Sequence, residues 1–291
     1  RRFLKQCRPA ELFIIETEIW PNLYQQCFQN NIPIHIVSGR ISKKTLQAPN
    51  WLKTRYKQAL QQVTQVLARS EHDAQSFIKL GAKQVKVLGN LKFAPSSDEH
   101  FANPIKRAYV LAASTHEDEE IQIAKCWQSL KRKELLVIVP RHPNRSAAIQ
   151  QTLKDSGFQF KVASHNDLIE ATDEILLDDR IGHLPPLFEH AKLVIMGGSF
   201  VNQGGHNFIE PARFKKPILT GPDYQNFEVE FALLESFNGI LACHNYTQLK
   251  TQIMLLLNHP LEAEKLGNQA FQAIQTQKET LNQYIAALPI D

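Results

Sequence analysis

The sequence predicts an α/β protein built from two doubly wound, Rossmann-like domains. Three observations lead there. Short apolar runs alternate with amphipathic helical stretches along most of the 291 residues, the pattern of parallel sheets joined by crossover helices. That length exceeds one typical domain and suits two cores. A polar stretch, Pro95-Ser96-Ser97-Asp98-Glu99, breaks both periodicities. The expected division is a first domain over 1–94, a linker over 95–104, a second domain over 105–270, and a C-terminal helix over 271–291 packing back toward the first.

In the first domain, Leu12–Ile15, Ile34–Val37, Val66–Ala68 and Val85–Leu88 read as strands, with helices around Trp20–Asn30, Leu52–Gln62 and His72–Leu80. The second begins with the apolar runs Tyr109–Ala113 and Leu135–Val139. It continues through Glu174–Leu177, Leu193–Met196, Pro217–Leu219 and Gly239–Ala242. Leu261–Leu288 reads as helix with one polar face. The start, Arg1-Arg2-Phe3-Leu4-Lys5, reads as the middle of an amphipathic helix, so the first domain is expected to be incomplete.

Composition narrows the function classes. A hydrophobic content of 43% and a charged content of 21% describe an ordinary globular chain. The net charge of +4 is mild and Lys and Arg are spread along the chain, so nucleic acid is not an expected partner. Cys7, Cys27, Cys126 and Cys243 lack metal-ligand spacing and read as reduced thiols. No metal is expected. No run is long enough to span a bilayer, and no P-loop, G-x-G-x-x-G or G-x-S-x-G motif is present.

Polar clusters follow several strands, where sites of α/β proteins collect. The richest is Gly197-Gly198-Ser199-Phe200 through Gly204-Gly205-His206-Asn207-Phe208-Ile209-Glu210-Pro211. A strand, a glycine-rich turn and a helix start leave backbone N–H groups free for an anion. Bare backbone at Gly204 and Gly205 is expected to admit a phosphate, and Glu210 to accept from a ribose; the alternative is a tight turn needing glycine for its dihedrals alone. Arg141 and His142, between Pro140 and Pro143, offer a fixed cation for phosphate. Ser114-Thr115-His116-Glu117 fits a helix capping box. Glu16 follows the first strand and reads either as a site carboxylate or as a helix-start carboxylate. Lys92, in Gly89-Asn90-Leu91-Lys92-Phe93, closes the first domain.

These motifs together resemble a known family. Glu16-Thr17-Glu18-Ile19-Trp20-Pro21-Asn22-Leu23, Gly89–Phe93, Ser114–Glu117, Arg141–Pro143 and Gly204–Glu210 are similar, in order and spacing, to the 3-deoxy-D-manno-octulosonic acid (Kdo) transferases of lipopolysaccharide assembly. The resemblance runs from about Phe3 to Leu288. It implies a GT-B glycosyltransferase with two Rossmann-like domains facing a cleft, inverting and metal-independent, without a cofactor. It implies CMP-Kdo as donor, a lipid A precursor (lipid IVA) as acceptor, and work at the cytoplasmic face of the inner membrane. Carried over by residue, Glu16 and Lys92 would stabilise the transition state, with Glu18 nearby. Pro140 and Arg141, then Ile181, Gly182 and His183, then Asn207, Phe208, Ile209 and Glu210 would bind CMP, with Ser199, Gly205 and His206 as further candidates.

Two departures stand out. Asp178-Asp179-Arg180-Ile181-Gly182-His183 stands where the family usually reads Gly-Asp-Thr-x-Gly-Glu, so His183 replaces a Glu. The family's general-base Glu, in a Ser-Val-Gly-Glu motif, and its membrane-anchoring leader are not among these residues. The expectation is therefore a chain that binds CMP and by itself transfers Kdo weakly or not at all. The rivals are a nucleotide-sugar epimerase of the same architecture, preferring UDP, and a binding-only fragment.

Overall fold

A computed structural model describes residues 2–93, 100–165, 168–277 and 279–289, with Lys43 and Lys44 described in backbone only. The chain forms two compact units, Arg1–Pro95 with Gln277–Asp291, and Ser96–Thr276.

The first unit holds α1 (Arg2–Cys7), β1 (Leu12–Ile15), α2 (Pro21–Gln29), β2 (Ile34–Gly39), α3 (Lys43–Leu46), α4 (Asn50–Leu60), β3 (Gln65–Ala68), α5 (Glu71–Lys79) and β4 (Val85–Val87). Its strands pair in parallel in the order β1-β2-β3-β4. Burial follows position: β2, flanked on both sides, buries all six residues, while β1 at the edge buries Ile14 and leaves Phe13 and Ile15 exposed. Pro21 opens α2, where a missing N–H costs nothing. Ser70 caps α5 by accepting from Asp73 N at 3.1 Å. A last helix, Glu279–Ala287, also belongs to this unit. It buries Tyr284 against Val37, Leu67 and Leu88, and the Tyr284 hydroxyl donates to Gly89 O at 2.9 Å.

The second unit holds β5 (Tyr109–Thr115), α6 (Glu119–Leu130), β6 (Leu135–Pro140), α7 (Ser146–Asp155), β7 (Phe160–Val162), β8 (Ile175–Leu177), α8 (Leu184–His190) and β9 (Val194–Met196). It continues with α9 (Ile209–Arg213), β10 (Ile218–Thr220), α10 (Glu228–Ser236), β11 (Leu241–Ala242), α11 (Tyr246–Asn258) and α12 (Pro260–Gln275). Seven parallel strands run β11-β10-β9-β5-β6-β8-β7. The central β5 and β6 are buried at every residue, which is why they read as unbroken apolar runs. The chain builds outward from β5 through β6, then returns to lay β9 on the other side of β5. The sheet therefore switches direction between β5 and β9, and ligands gather at the carboxyl ends of such a pair.

Three readings change. The capping box at Ser114–Glu117 does not form: β5 runs through Thr115, Ser114 takes φ +57°, and α6 starts at Glu119, whose carboxylate accepts from His116 N at 2.9 Å. The strand β7 escapes a pattern search because it is three residues long with Lys161 at its centre. Of the 95–104 stretch, residues 95–99 lie outside those described, while His100 and Phe101 are fastened to α8: Glu189 accepts from Phe101 N at 2.6 Å and pairs with His100 Nδ1 at 2.8 Å.

The Tyr284 contact makes the first prediction. Tyr284→Phe leaves buried carbonyls unpartnered and should destabilise by about 1 kcal/mol. Tyr284→Ala adds a cavity and should cost about 3–5 kcal/mol. Urea unfolding of the whole chain separates the two, and a Phe variant as stable as the parent would show that the hydroxyl does not anchor this helix.

Candidate functional site

Each unit presents polar side chains where its strands end, and each set is described on its own. In the first unit, Glu16 leaves β1 in a left-handed turn (φ +62°) held by Glu16 N donating to Val37 O at 3.0 Å. Its carboxylate pairs with Lys92 Nζ at 2.5 Å. Burial pulls the Glu16 carboxyl up, but the hydrogen bond and charge of Lys92, with Arg40 and Arg69, outweigh it and hold the carboxyl below its ordinary range. Arg40 follows β2 and Arg69 follows β3, so the rule that picked out Glu16 could have found both. The buried Asp73 fixes Arg69, accepting from its Nε at 2.9 Å. Glu18 turns away to accept from Trp20 Nε1 at 2.8 Å and is exposed.

In the second unit the glycine-rich loop is an anion site already filled by the protein. Glu119 is fully buried, and its carboxylate accepts from Gly198 N at 2.6 Å, Ser199 N at 3.1 Å and Phe200 N at 2.9 Å, besides His116 N. The expectation of open backbone at Gly204 and Gly205 is corrected as well. Gly204 N donates to the Asp223 carboxylate at 2.7 Å, and Gly205 N to Gly198 O at 2.9 Å. A Cβ on Gly204 would stand 2.1 Å from the Asn226 side chain, and one on Gly205 3.2 Å from Asp223 O, so packing and positive φ account for both glycines. Ser199 is likewise committed: its hydroxyl donates to Met196 O at 2.6 Å and accepts from Gly221 N at 2.7 Å.

Other residues remain on offer. Arg141 follows β6, its backbone held by Thr115 O at 2.9 Å, and its exposed guanidinium has no hydrogen-bond or ion-pair partner among the described residues. Pro140, the buried last residue of β6, only aims it. Asn207 closes a turn, accepting from Ile209 N at 3.1 Å and donating to Glu210 Oε1 at 3.1 Å, which orients the Glu210 carboxylate. Phe208 and Ile209 bury their side chains in the core, so only their backbone can meet a ligand. Beyond β8, Asp178 closes on Arg180 at 2.7 Å, and Asp179 accepts from Ser146 at 2.6 Å and Ser164 at 3.0 Å. That leaves Ile181, Gly182 (φ +82°) and His183 as an exposed loop whose backbone is accessible.

Three histidines, among them the further candidate His206, complete the set. His116 Nε2 meets His206 Nε2 at 2.9 Å, the two rings nearly parallel, and the His142 ring stands edge-on to His116 with centroids 5.7 Å apart. Burial, then the neighbouring His116, Arg141 and His142, pushes His206 down to about 4. His116 is lowered too, by burial and then His142, with Glu120 opposing. Arg145 is locked onto the buried Glu120 at 2.8 Å. For His116 and His142 the signal in sequence was position, one and two residues past a strand's carboxyl end, whereas His206 comes ten residues after β9.

Against known proteins, residues 1–95 match the family model described as 3-Deoxy-D-manno-octulosonic-acid transferase (kdotransferase). The 3-deoxy-D-manno-octulosonic acid transferase of Haemophilus influenzae is 30% identical over 99% of this chain and 71% of its own length. The chain belongs to the 3-deoxy-D-manno-octulosonic acid transferase family. The Kdo transferase of Rickettsia felis is 31% identical over 99% of this chain, which spans 64% of that relative. Among solved structures, the C-terminal CMP-Kdo binding domain of WaaA from Acinetobacter baumannii is 29% identical with a TM-score of 0.56, over 58% of this chain and 90% of that one. UDP-GlcNAc 2-epimerase from Neisseria meningitidis, at 15% identity and a TM-score of 0.58 over 97% of this chain and 78% of its own, shares the fold. The chain thus has the α/β fold of GT-B glycosyltransferases.

Two predictions follow from these contacts. Because the folded-state carboxyl of Glu16 lies below its unfolded value, it contributes stability that is present above the unfolded value and lost as pH falls through the folded one. Lys92→Met should move the Glu16 midpoint upward in carboxyl NMR titrations, and an unmoved midpoint would deny the pairing. Glu119→Gln keeps the shape but loses the charge and one acceptor, turning an amide toward N–H donors. It should destabilise by about 1.5–3 kcal/mol in urea unfolding, and a neutral result would mean the loop holds itself.

Proposed function

We propose that this chain carries out Kdo transfer from CMP-Kdo to a lipid A precursor, lipid IVA, by an inverting, metal-independent reaction requiring no cofactor. The carrying observation is the open Arg141 guanidinium at the edge where the second sheet switches direction, close enough to His206 for its charge to act on that ring. A phosphodiester leaving group gains one negative charge as the anomeric bond breaks, and a fixed guanidinium favours that gain. In this reading Glu210, held by Asn207, accepts from the cytidine ribose, and the Ile181–His183 backbone supplies further donors despite the His at position 183. In the first unit, Lys92 supplies positive potential and Glu16 negative potential to groups charging in the transition state; an acceptor hydroxyl attacks the anomeric carbon as CMP departs. The A. baumannii CMP-Kdo binding domain supports the choice of donor.

The acceptor side of the reading rests on charge and aromatic exposure in the first unit. Residues 1–95 hold 15 Lys and Arg against 5 Asp and Glu, so the mild net charge of the chain conceals a strongly basic unit. Trp20 and Trp51, 58% and 66% exposed, border a groove of about 510 Å³ with Leu23, Leu52 and Arg55. Exposed indoles beside cations suit the headgroup level of an anionic bilayer. No helix among the described residues is long and apolar enough to cross a membrane; on the strength of the charge and the exposed indoles, this reading has the unit resting on the cytoplasmic face of the inner membrane.

CMP at a hundred times its dissociation constant should add about 2.7 kcal/mol of stability. Thermal unfolding should show this with CMP but not with UDP, and the response should vanish in Arg141→Ala and Glu210→Ala. Equal stabilisation by UDP would favour the nucleotide-sugar epimerase reading. CMP binding without Kdo transfer to lipid IVA would favour a binding-only protein.

A further inference from the structure

We infer that the His116–His206 pair is a proton acceptor coupled to the anion site: when a phosphate-bearing ligand settles against Arg141, the pair takes up one proton from solvent. The inference rests on the donor reading above and adds to it a linked ionisation.

The geometry carries the argument. A hydrogen bond between two Nε2 atoms at 2.9 Å requires one to bear hydrogen and the other to be bare. The donor ring then has a bare Nδ1, while the acceptor ring holds its hydrogen on Nδ1. One added proton, on the Nδ1 of the donor ring, leaves the bond intact and strengthens it, since a cationic donor bonds better than a neutral one. A second would put hydrogens on both Nε2 atoms and break it. The pair thus accepts one proton and resists two.

The backbone is shaped around this contact. Gly198 takes φ +66°, and a Cβ there would stand 2.9 Å from the His206 ring and 3.3 Å from His116. The two rings lie over bare backbone that the Glu119 carboxylate pins from below through Gly198 N and His116 N. Turned toward the pair are Arg141, His142 and Arg145 as positive or chargeable groups, and Glu119 and Glu120 as negative ones. Glu120 is engaged by Arg145, and Glu119 by four backbone donors. Arg141 is the charge left uncompensated, and with burial it keeps the free pair neutral. A phosphate on Arg141 cancels that charge and adds its own, so binding and protonation favour each other by the same factor in either order.

Titration calorimetry of CMP at pH 7, repeated in buffers of different ionisation enthalpy, counts the protons. Near pH 7 CMP is about nine-tenths dianion, so its own ionisation accounts for roughly a tenth of a proton released. Uptake of at least about half a proton per CMP is expected, with affinity weakening by up to about tenfold per pH unit above neutrality. Cytidine, lacking phosphate, should show no uptake. The uptake should persist in His142→Gln and disappear in His116→Gln and His206→Gln, while the wild-type count stands by itself if a variant fails to fold. CMP binding without uptake, or uptake surviving in both pair variants, overturns the inference alone. Absence of CMP binding overturns the donor reading and this inference together.

Discussion

The carboxylate of Glu119 is the interaction on which the working edge of the second sheet depends. It lies without solvent exposure at the first turn of α6, and its two oxygens take four backbone N–H groups, three from the loop after β9 and one from the end of β5. A buried charge is tolerable only with such compensation, and the helix start adds a favourable dipole. In return it ties together the two strand ends that flank the switch point. His116 follows β5 and is itself one of the tied donors, and His206 meets it over Gly198. Without an internal anion there, three converging N–H groups would face each other across a tight turn. The loop would then have no reason to hold the conformation that brings Asn207 and Glu210 to the edge.

The first unit uses the same device with the roles exposed instead of buried. Glu16 leaves β1 in a left-handed turn, and its carboxylate meets the side chain of Lys92, with the charges of Arg40 and Arg69 adding to it. Side-chain partners can move and can be traded for a substrate, whereas backbone amides cannot. The contrast separates a carboxylate that builds a loop from one that the proposed reaction would use. Asp73, which holds Arg69, belongs with the builders.

Most of the fold was legible because parallel strands buried on both faces leave unbroken apolar runs, as Tyr109–Ala113 and Leu135–Val139 do. What escaped was short or polar: β7, and the true start of α6. The site was legible by the same logic, since a polar residue directly after such a run must stand at a strand's carboxyl end. Which of those residues face a ligand was not legible. Ser199, Gly204 and Gly205 carry the chemistry of a phosphate loop, yet their polar groups and free space are consumed by Met196, Gly221, Asp223 and Asn226. Arg141 and Arg145 look alike four residues apart, and only three-dimensional pairing shows that Glu120 holds Arg145 and that Arg141 has no such partner among the described residues. Pattern locates an edge, but satisfaction of each donor and acceptor decides what the edge still has to offer.

Fold and site therefore answer different questions about this chain. The N. meningitidis epimerase shares the architecture over nearly the whole chain at 15% identity, and architecture alone would leave epimerase and transferase level. The distinction has to come from charge and hydrogen bonding at particular atoms. An imidazole pair limited to one proton beside an uncompensated guanidinium suits a ligand whose charge is concentrated on phosphate and grows as the reaction proceeds. It offers nothing particular to an uncharged sugar ring. The basic first unit with its exposed indoles suits the anionic partner of large apolar area that the proposed reaction requires. A soluble nucleotide-sugar epimerisation asks for neither that charge excess nor that surface, whereas transfer of an acidic sugar to a phosphorylated lipid uses both.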